Sequence, residues 1–215
     1  MADVNSRAGH GYATPAIVEY VNRVHAPHDA ALAQAFTVPP PLPAIMVAPS
    51  DGKLVEFLLA LIGARRVLEV GTLVGYSGLR ILRALPADGH LWTLEFDAAH
   101  AAVARSNFAA AGEVARVTVC EGRARDVLPT LTSHGPFDAV FIDADKENYH
   151  HYAAWALGNV RSGGLIIGDN TFLFGELLDD SERGRAMRAF HEQLAATCDT
   201  VSVSTPDGMV VARVR

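Results

Sequence analysis

The chain alternates short apolar runs with segments in which apolar residues recur at helical spacing. Five runs have strand character, namely "RRVLEV", "HLWTLEF", "RVTVCEG", "FDAVFID" and "GGLIIGD". A helical pattern follows each, such as "YSGLRILRAL" or the alanine-rich "AAHAAVARSNFAAAG", which ends at Gly112. Strands that alternate with helices predict a mostly parallel sheet with helices on both faces.

The two ends of the chain depart from this alternation. "TVSVS", a turn at 206–208 and "MVVARV" predict a hairpin that adds antiparallel strands at one edge of the sheet. At the other end, two short helical patterns precede the proline-rich stretch "TVPPPLPAIMVAP". We therefore predict an N-terminal helical segment over 1–44, and a doubly wound α/β domain over 45–215.

Composition narrows the class of protein. The net charge of −6 without a block of Lys or Arg argues against a nucleic-acid surface. The apolar run "LVEFLLALIGA" carries Glu56 and is too short to span a bilayer. The first fifteen residues contain no apolar core of a signal peptide, and only Cys120 and Cys198 are present. We expect a cytoplasmic protein that does not bind membranes.

Acidic residues mark the ends of four predicted strands: Glu69, Glu95, Asp143 and Asp169. Ligands of open α/β sheets bind beyond the carboxyl ends of the strands. Four acidic side chains at one edge are costly unless water or a ligand satisfies them. The pattern predicts a ligand site at this edge.

The turn after the first strand, "EVGTLVGYS", contains two glycines that allow a tight turn and a close approach to a ligand. Leu73 stands where the dinucleotide fingerprint requires its second glycine, which disfavours a nicotinamide cofactor. Glu69 before the turn favours a cationic ligand such as S-adenosylmethionine, and Glu95 can accept both ribose hydroxyls. The alternative is that the glycines serve only helix–sheet packing.

The stretch "FIDADKENYHHY" places Asp143 and Lys146 after the fourth strand, and Asp169 and Asn170 end the fifth. Adjacent parallel strands lie ~5 Å apart, so these oxygen atoms can converge on one ion. Hard oxygen ligands suit Mg²⁺, or else Mn²⁺ or Ca²⁺. Beside such an ion an ammonium is disfavoured, so Lys146 is a candidate general base. The alternative for this stretch is a solvated turn.

The motifs "RRVLEVGTLVGYSGLRI", "TLEFD", "FDAVFIDADKENYHHY" and "GGLIIGDN", in this order, carry a family resemblance. Over roughly residues 15–215 the chain resembles the cation-dependent, S-adenosylmethionine-dependent O-methyltransferases, which include the caffeoyl-CoA and catechol enzymes. The resemblance implies the class I methyltransferase, Rossmann-like fold and a homodimer. The segment 1–44 is then expected to cap the substrate and to contribute to dimerisation.

The resemblance also implies roles for individual residues. The implied metal ligands are Asp143, Asp169 and Asn170. The implied cofactor residues are Val47, Glu69, Gly71, Thr72, Ser77, Glu95, Ala124 and Asp143. Lys146 and Asp143 are the expected catalytic residues, and the expected substrate contacts are Lys146, Asn170, Phe172 and Phe174.

The expected reaction is methyl transfer to one hydroxyl of a vicinal aromatic diol, a catechol-type small molecule. A hydroxylated uridine in tRNA is the alternative acceptor. The chain departs from the family at Ile45 and Lys53, where methionine and glutamine are usual. After Asn170 the family often has an aliphatic residue and then tryptophan, whereas this chain reads Thr171-Phe172-Leu173-Phe174. This departure bears on the acceptor more than on the chemistry.

Overall fold

The computed structural model describes residue 4 and residues 11–215. Seven strands form one sheet in the order β3-β2-β1-β4-β5-β7-β6. The strands are β1 (Arg66–Val70), β2 (His90–Glu95), β3 (Val117–Glu121), β4 (Phe137–Ile142), β5 (Val160–Asp169), β6 (Cys198–Val203) and β7 (Met209–Val214). Strands β1 to β5 pair in parallel, and β7 pairs antiparallel with β5 and β6. The predicted doubly wound sheet with an antiparallel hairpin is confirmed.

The strand order reverses between β1 and β4, which are neighbours in the centre of the sheet. A crevice opens at such a switch point, beyond the carboxyl ends of the two strands. The residues that follow β1 and β4 are therefore placed to line a ligand cavity.

Helices cover both faces of the sheet. They are α1 (Pro15–His25), α2 (Ala30–Phe36), α3 (Pro49–Leu61), α4 (Tyr76–Ala84), α5 (Ala98–Ala110), α6 (Ala124–Leu131), α7 (Tyr149–Asn159) and α8 (Glu182–Thr197). Short 3₁₀ turns lie at Lys146–Asn148 and Leu173–Gly175. Side-chain caps begin several helices: the Asp97 carboxylate accepts the amides of Ala99 and His100 at the start of α5.

The core has two layers because successive residues of the central strands point to opposite faces. Leu68 and Ile142 pack with α6, α7 and α8, whereas Val67 and Phe141 pack with α2 to α5. All four side chains are buried. This explains why the sequence of these strands is almost continuously apolar.

The N-terminal helices differ in how they contact this core. Leu32 and Ala35 of α2 are buried in the layer that contains α4, but α1 has no buried residue. The rest of the predicted segment 1–44 includes residues 1–3 and 5–10, which lie outside the described residues. Over the described residues, no helix is both long and apolar enough to cross a membrane.

Candidate active site

The glycine turn between β1 and α4 packs directly on the end of β4. Gly71 has φ 100°, and a Cβ atom there would collide with the carbonyl oxygen of Asp143. Gly75 has φ 87°, and a Cβ atom there would lie 2.9 Å from the ring of Phe108. Close packing therefore requires both glycines. The same packing brings the start of α4 next to Asp143, so that both face one cavity.

A cavity of about 970 Å³ lies beyond the carboxyl ends of the parallel strands. Most of the side chains expected to bind the cofactor line it: Val47, Gly71, Thr72, Ser77, Glu95, Ala124 and Asp143. They come from distant parts of the chain, and the strand order gathers them. A cavity of this size is typical of sites for small molecules of the size of a nucleoside cofactor.

Glu95 is fixed in the wall of this cavity by two backbone amides. Its Oε2 accepts from Leu73 N at 2.7 Å and its Oε1 accepts from Asp97 N at 2.9 Å. His100 Nδ1 lies 3.5 Å from Oε1. The carboxylate thus ties the end of β2 to the glycine turn, and it also faces the cavity as the ribose assignment requires.

Glu69 does not line the cavity, in contrast to the sequence prediction. It is fully buried beneath the first turn of α4, where its Oε2 accepts from Thr93 Oγ1 at 2.6 Å. Burial raises the pKa of Glu69 to about 7, opposed by the Ser77 and Thr93 hydroxyls and assisted by the charges of Asp143 and Glu95. Its side chain leaves β1 toward the face of the sheet that α4 covers. Glu69 can therefore act on a ligand only through the residues around it.

A smaller cavity of about 220 Å³ shares Val47, Asp143, Asn170 and Phe174 with the larger one. Four aspartates are among the residues that line it: Asp51, Asp143, Asp169 and Asp207. Asn170, with φ 53°, completes this polar wall. The structure therefore brings together the three residues expected to bind a metal ion.

The carboxylates around the small cavity are poorly compensated. Asp169 is 2% exposed, and its Oδ1 has no hydrogen-bond partner among the described residues. Burial raises the pKa of Asp169 to about 7, with a further contribution from the charge of Asp143. Burial and the charge of Asp207 raise the pKa of Asp51 to about 6. These groups would be stabilised by a cation in the cavity.

Few of the side chains around the small cavity are placed to coordinate one metal ion directly. Within the part of the chain that the structure describes, no three His, Cys, Asp or Glu side chains are arranged to hold one metal ion. The expected ligand set has two carboxylates, and its third member is the amide of Asn170. Such a set leaves coordination positions for water and for a substrate.

Lys146 is not a solvated turn residue. It is 8% exposed at the start of the 3₁₀ turn, and it lines the large cavity. Its Nζ donates to Asp143 Oδ1 at 3.0 Å and to the Tyr149 hydroxyl at 2.7 Å. Asp145, in contrast, is exposed and accepts hydrogen bonds from Asn148 and Tyr152. The charged stretch thus contains an ion pair of the buried Lys146 with the half-buried Asp143, and an exposed Asp145 that also lines the large cavity.

Of the two phenylalanines expected to contact the substrate, only Phe174 lines a cavity. Its side chain is 60% exposed at the mouth of both cavities. The Phe172 ring lies outside both, where it packs against the turn at Gly208, and its N–H donates to Asp207 O at 2.8 Å. That backbone pairing turns Phe172 toward the hairpin.

Several residues of the site were not found from the sequence. Tyr76 and His100 line the large cavity, and Asp51 and Asp207 line the small one. The two aspartates come from the first turn of α3 and from the β6–β7 turn, so nothing in their local sequence links them to "DADK". Tyr149 stood inside the quoted motif, but its contacts depend on the packing of α7.

Comparisons with known proteins identify the family. A family model described as O-methyltransferase matches residues 27–215. The chain belongs to this O-methyltransferase family. It is an S-adenosylmethionine-dependent O-methyltransferase with the class I methyltransferase fold.

Two bacterial relatives align with most of the chain. A catechol O-methyltransferase of Niastella koreensis is 42% identical over 186 residues, which are 81% of this chain and 84% of that protein. A catechol O-methyltransferase of Mycobacterium tuberculosis is 44% identical over 183 residues, 81% of this chain and 83% of the relative.

A solved structure confirms the fold prediction. The O-methyltransferase from Bacillus cereus, in complex with SAH, superposes with a TM-score of 0.87 at 38% identity. The superposition covers 93% of this chain and 97% of that one. The expectation of S-adenosylmethionine rather than a nicotinamide cofactor is confirmed at the level of the family.

Proposed function

We propose that this methyltransferase transfers a methyl group from S-adenosylmethionine to one hydroxyl of a catechol-type small molecule, with the help of Mg²⁺. The observation that carries the proposal is the joining of two cavities at Asp143. One of them fits a nucleoside cofactor, and the other presents an all-oxygen donor set. The names of the two bacterial relatives, both catechol O-methyltransferases, support the acceptor class.

A divalent cation fits the residues of the small cavity. Asp143, Asp169 and Asn170 would hold it, because Asp169 Oδ1 is buried without a partner and its pKa is raised by neighbouring negative charge. Asp51 and Asp207 add further negative charge to the wall. Oxygen donors without sulfur or imidazole favour Mg²⁺, with Mn²⁺ or Ca²⁺ as alternatives.

When bound, the cofactor supplies the methyl group and the cation makes a coordinated hydroxyl more acidic. The residues of the chain position the reactants around this chemistry. Lys146 Nζ, held at the cavity wall by Asp143, would accept the proton of the acceptor hydroxyl or stabilise the phenolate. Glu95 would hold the ribose, Ser77 the carboxylate of the cofactor, and Phe174 would cover the aromatic ring. Most of the rate gain then comes from orientation.

The acceptor is proposed to be a small molecule rather than RNA. Phe174 gives the mouth of the cavity an aromatic wall suited to a planar ring. No observation on the described residues favours a hydroxylated uridine in tRNA, and that alternative is not proposed. Location in the cytoplasm stays a prediction.

We also propose a homodimer in which the N-terminal segment takes part. Apolar side chains of α1 are exposed on the single chain: Ile17, Val18, Tyr20, Val21 and Val24. An amphipathic helix without a buried residue gains by packing against a partner. The same segment is proposed to cap the acceptor side of the cavity.

The test of the proposed function is a methylation assay with catechol and S-adenosylmethionine. EDTA should abolish turnover, and added Mg²⁺ should restore it. Asp169→Asn should lose the response to Mg²⁺ while keeping cofactor binding. Full turnover in EDTA would exclude a role for the cation, and methylation only of acceptors without a vicinal diol would exclude the substrate class.

Lys146 is tested separately. Lys146→Ala should lower kcat roughly 10²- to 10³-fold, in the range for loss of a general base. Lys146→Arg should not restore it, because a guanidinium stays protonated at any working pH. Cofactor affinity, measured by calorimetry, should stay within about twofold of wild type. An unchanged kcat in both variants would contradict the role of Lys146.

A further inference from the structure

Tyr149 is a buried tyrosine whose hydroxyl meets three polar groups between the two strand ends of the site. Its side chain is 0% exposed, and its oxygen lies 2.7 Å from Lys146 Nζ. The same oxygen lies 2.8 Å from the carbonyl oxygen of Asp169 and 3.1 Å from that of Ile142. Asp169 ends β5, and Ile142 precedes Asp143 at the end of β4.

The direction of each hydrogen bond follows from what the groups can donate. Carbonyl oxygens only accept, so the single proton of the Tyr149 hydroxyl points to Asp169 or Ile142. The lone pair of the phenol oxygen must then accept an N–H of Lys146. Burial, with the charges of Asp143 and Asp169, raises the pKa of Tyr149 well above its ordinary value, so the hydroxyl keeps its proton.

These bonds fix the position of the lysine nitrogen. One N–H of Lys146 is held by Tyr149 and one by Asp143 Oδ1, so the remaining position of Nζ is left for a group in the cavity. The Lys146 nitrogen also lies 4.7 Å from the centre of the Tyr149 ring. Because the hydroxyl lies within hydrogen-bond distance of the carbonyl oxygens at the ends of both β4 and β5, it also sets the position of Nζ relative to the two strands.

We propose that Tyr149 is a positioning residue for Lys146: its hydroxyl aims the lysine nitrogen at the acceptor hydroxyl, and its ring keeps the side chain in the wall. The inference rests on the role proposed above for Lys146. It assigns Tyr149 no contact with the substrate. Its effect on turnover must therefore pass through the lysine.

Tyr149→Phe removes the hydroxyl and keeps the ring, which packs edge-on against Phe190 at 5.3 Å. We expect kcat to fall roughly tenfold to a hundredfold, as is common when a reacting group is misplaced. The KM for S-adenosylmethionine should stay within about twofold, since Tyr149 does not line the cavity. A merely structural role would change stability without this separation of kcat from KM.

The decisive measurement is a double-mutant cycle with Lys146→Ala. If Tyr149 acts through the lysine, Tyr149→Phe should change kcat by less than about twofold in the Lys146→Ala background. Additive losses would overturn the inference. An unchanged kcat in Lys146→Ala alone would overturn the proposed role of the lysine instead, so the two failures are distinguishable.

Controls separate positioning from loss of structure. Asp138→Asn is a matched control, because it removes part of a half-buried hydrogen-bond group at the opposite end of β4, and it should leave kcat unchanged. Should Tyr149→Phe not fold, Phe190→Leu loosens the tyrosine ring and leaves the hydroxyl in place. In that variant kcat should fall in the wild-type background but hardly change in the Lys146→Ala background. An equal fall in both backgrounds would overturn the inference.

Discussion

At the scale of single residues, the Glu95 carboxylate has a structural role and a proposed role in binding the cofactor. Its two oxygens hold the amides of Leu73 and Asp97, and the same group faces the cofactor cavity. Leu73 has φ 47°, in the left-handed region that is unfavourable for a leucine. The hydrogen bond to Glu95 therefore helps to stabilise the turn that shapes the cavity.

This double role decides which substitution tests the cofactor assignment. Glu95→Gln keeps one acceptor oxygen for the turn but removes the charge that would bind the ribose hydroxyls. We expect S-adenosylmethionine to bind at least tenfold more weakly, since a hydrogen bond to a charged group contributes about 1.5–3 kcal/mol. Titration calorimetry measures this affinity. Glu95→Ala should bind S-adenosylmethionine more weakly still, and its fold should be less stable. Equal affinity in Glu95→Gln and wild type would refute the ribose contact.

The sequence could identify acidic residues near strand ends but not the direction of each side chain. Glu95 and Asp143 reach the cavity, whereas Glu69, two positions before Gly71, points into the packed face under α4. The backbone of Phe172 likewise pairs with the hairpin turn, and its ring lies outside both cavities. Both observations concern side-chain orientation, which depends on the packing of α4 and of the β6–β7 turn.

At the scale of elements, Asp138 joins the beginnings of three strands. Its Oδ2 accepts the amides of Arg65 and Arg66 at the start of β1, at 2.8 and 2.9 Å. Its Oδ1 pairs with Arg161 near the start of β5. Burial alone would raise the pKa of Asp138, but the hydrogen bonds and the Arg161 charge outweigh it, and the pKa lies below the ordinary value of 3.8.

Asp138→Ala should lower the free energy of unfolding by about 1–2 kcal/mol at pH 7, because it removes three hydrogen bonds that are exposed or part-buried. Asp138→Asn should lose less, since its one oxygen can still accept both amides. Because the folded pKa is depressed, the contribution is complete above pH 3.8 and is lost as the pH falls through the folded pKa. Urea unfolding from pH 3 to 7 should show the difference from wild type shrink toward acid. A stability difference between variant and wild type that does not change with pH would contradict the contribution of the Asp138 charge.

The elements themselves could mostly be predicted from the sequence. Alternation of strand and helix patterns located β1 to β5, and "PDG" located the terminal hairpin. Helix α3 was not predicted as an element, because "LVEFLLALIGA" was weighed only as a membrane span and its amphipathic pattern is weak. Its first turn carries Asp51, so the acidic wall of the small cavity could not be foreseen.

At the scale of the whole molecule, the two edges of the parallel sheet are built differently. At the starting edge, charged groups are paired, as Asp138 is with Arg161 and Arg65 is with Asp88. At the carboxyl edge, Asp169 and Asp51 are buried with little compensation. Charges are thus paired at the starting edge, and the carboxyl edge retains poorly compensated carboxylates that a ligand can use.

From this asymmetry we expect the stability of the fold to depend on pH and, if the proposed cation binds, on the cation as well. Because the folded pKa of Asp169 is raised from 3.8 to about 7, its contribution is complete below pH 3.8 and is lost as the pH rises through the folded pKa. In EDTA, wild type should therefore lose thermal stability between about pH 4 and about pH 7.5, and Asp169→Asn should lose less. Mg²⁺ at about 100 times its Kd should restore about 2.7 kcal/mol to wild type. That corresponds to a rise in Tm of roughly 5–10 °C for a chain of this size.

Differential scanning calorimetry on wild type and Asp169→Asn, with and without Mg²⁺, measures the effect of pH and the effect of Mg²⁺ separately. S-adenosylmethionine serves as the control ligand, because it should raise the Tm of Asp169→Asn as well as that of wild type. If Mg²⁺ shifts both proteins equally, the ion acts elsewhere on the molecule. If the two proteins lose stability equally between about pH 4 and about pH 7.5 in EDTA, ionisation of Asp169 is not what destabilises the carboxyl edge. A loss confined to wild type and reversed by Mg²⁺ is the result that the uncompensated carboxylates predict.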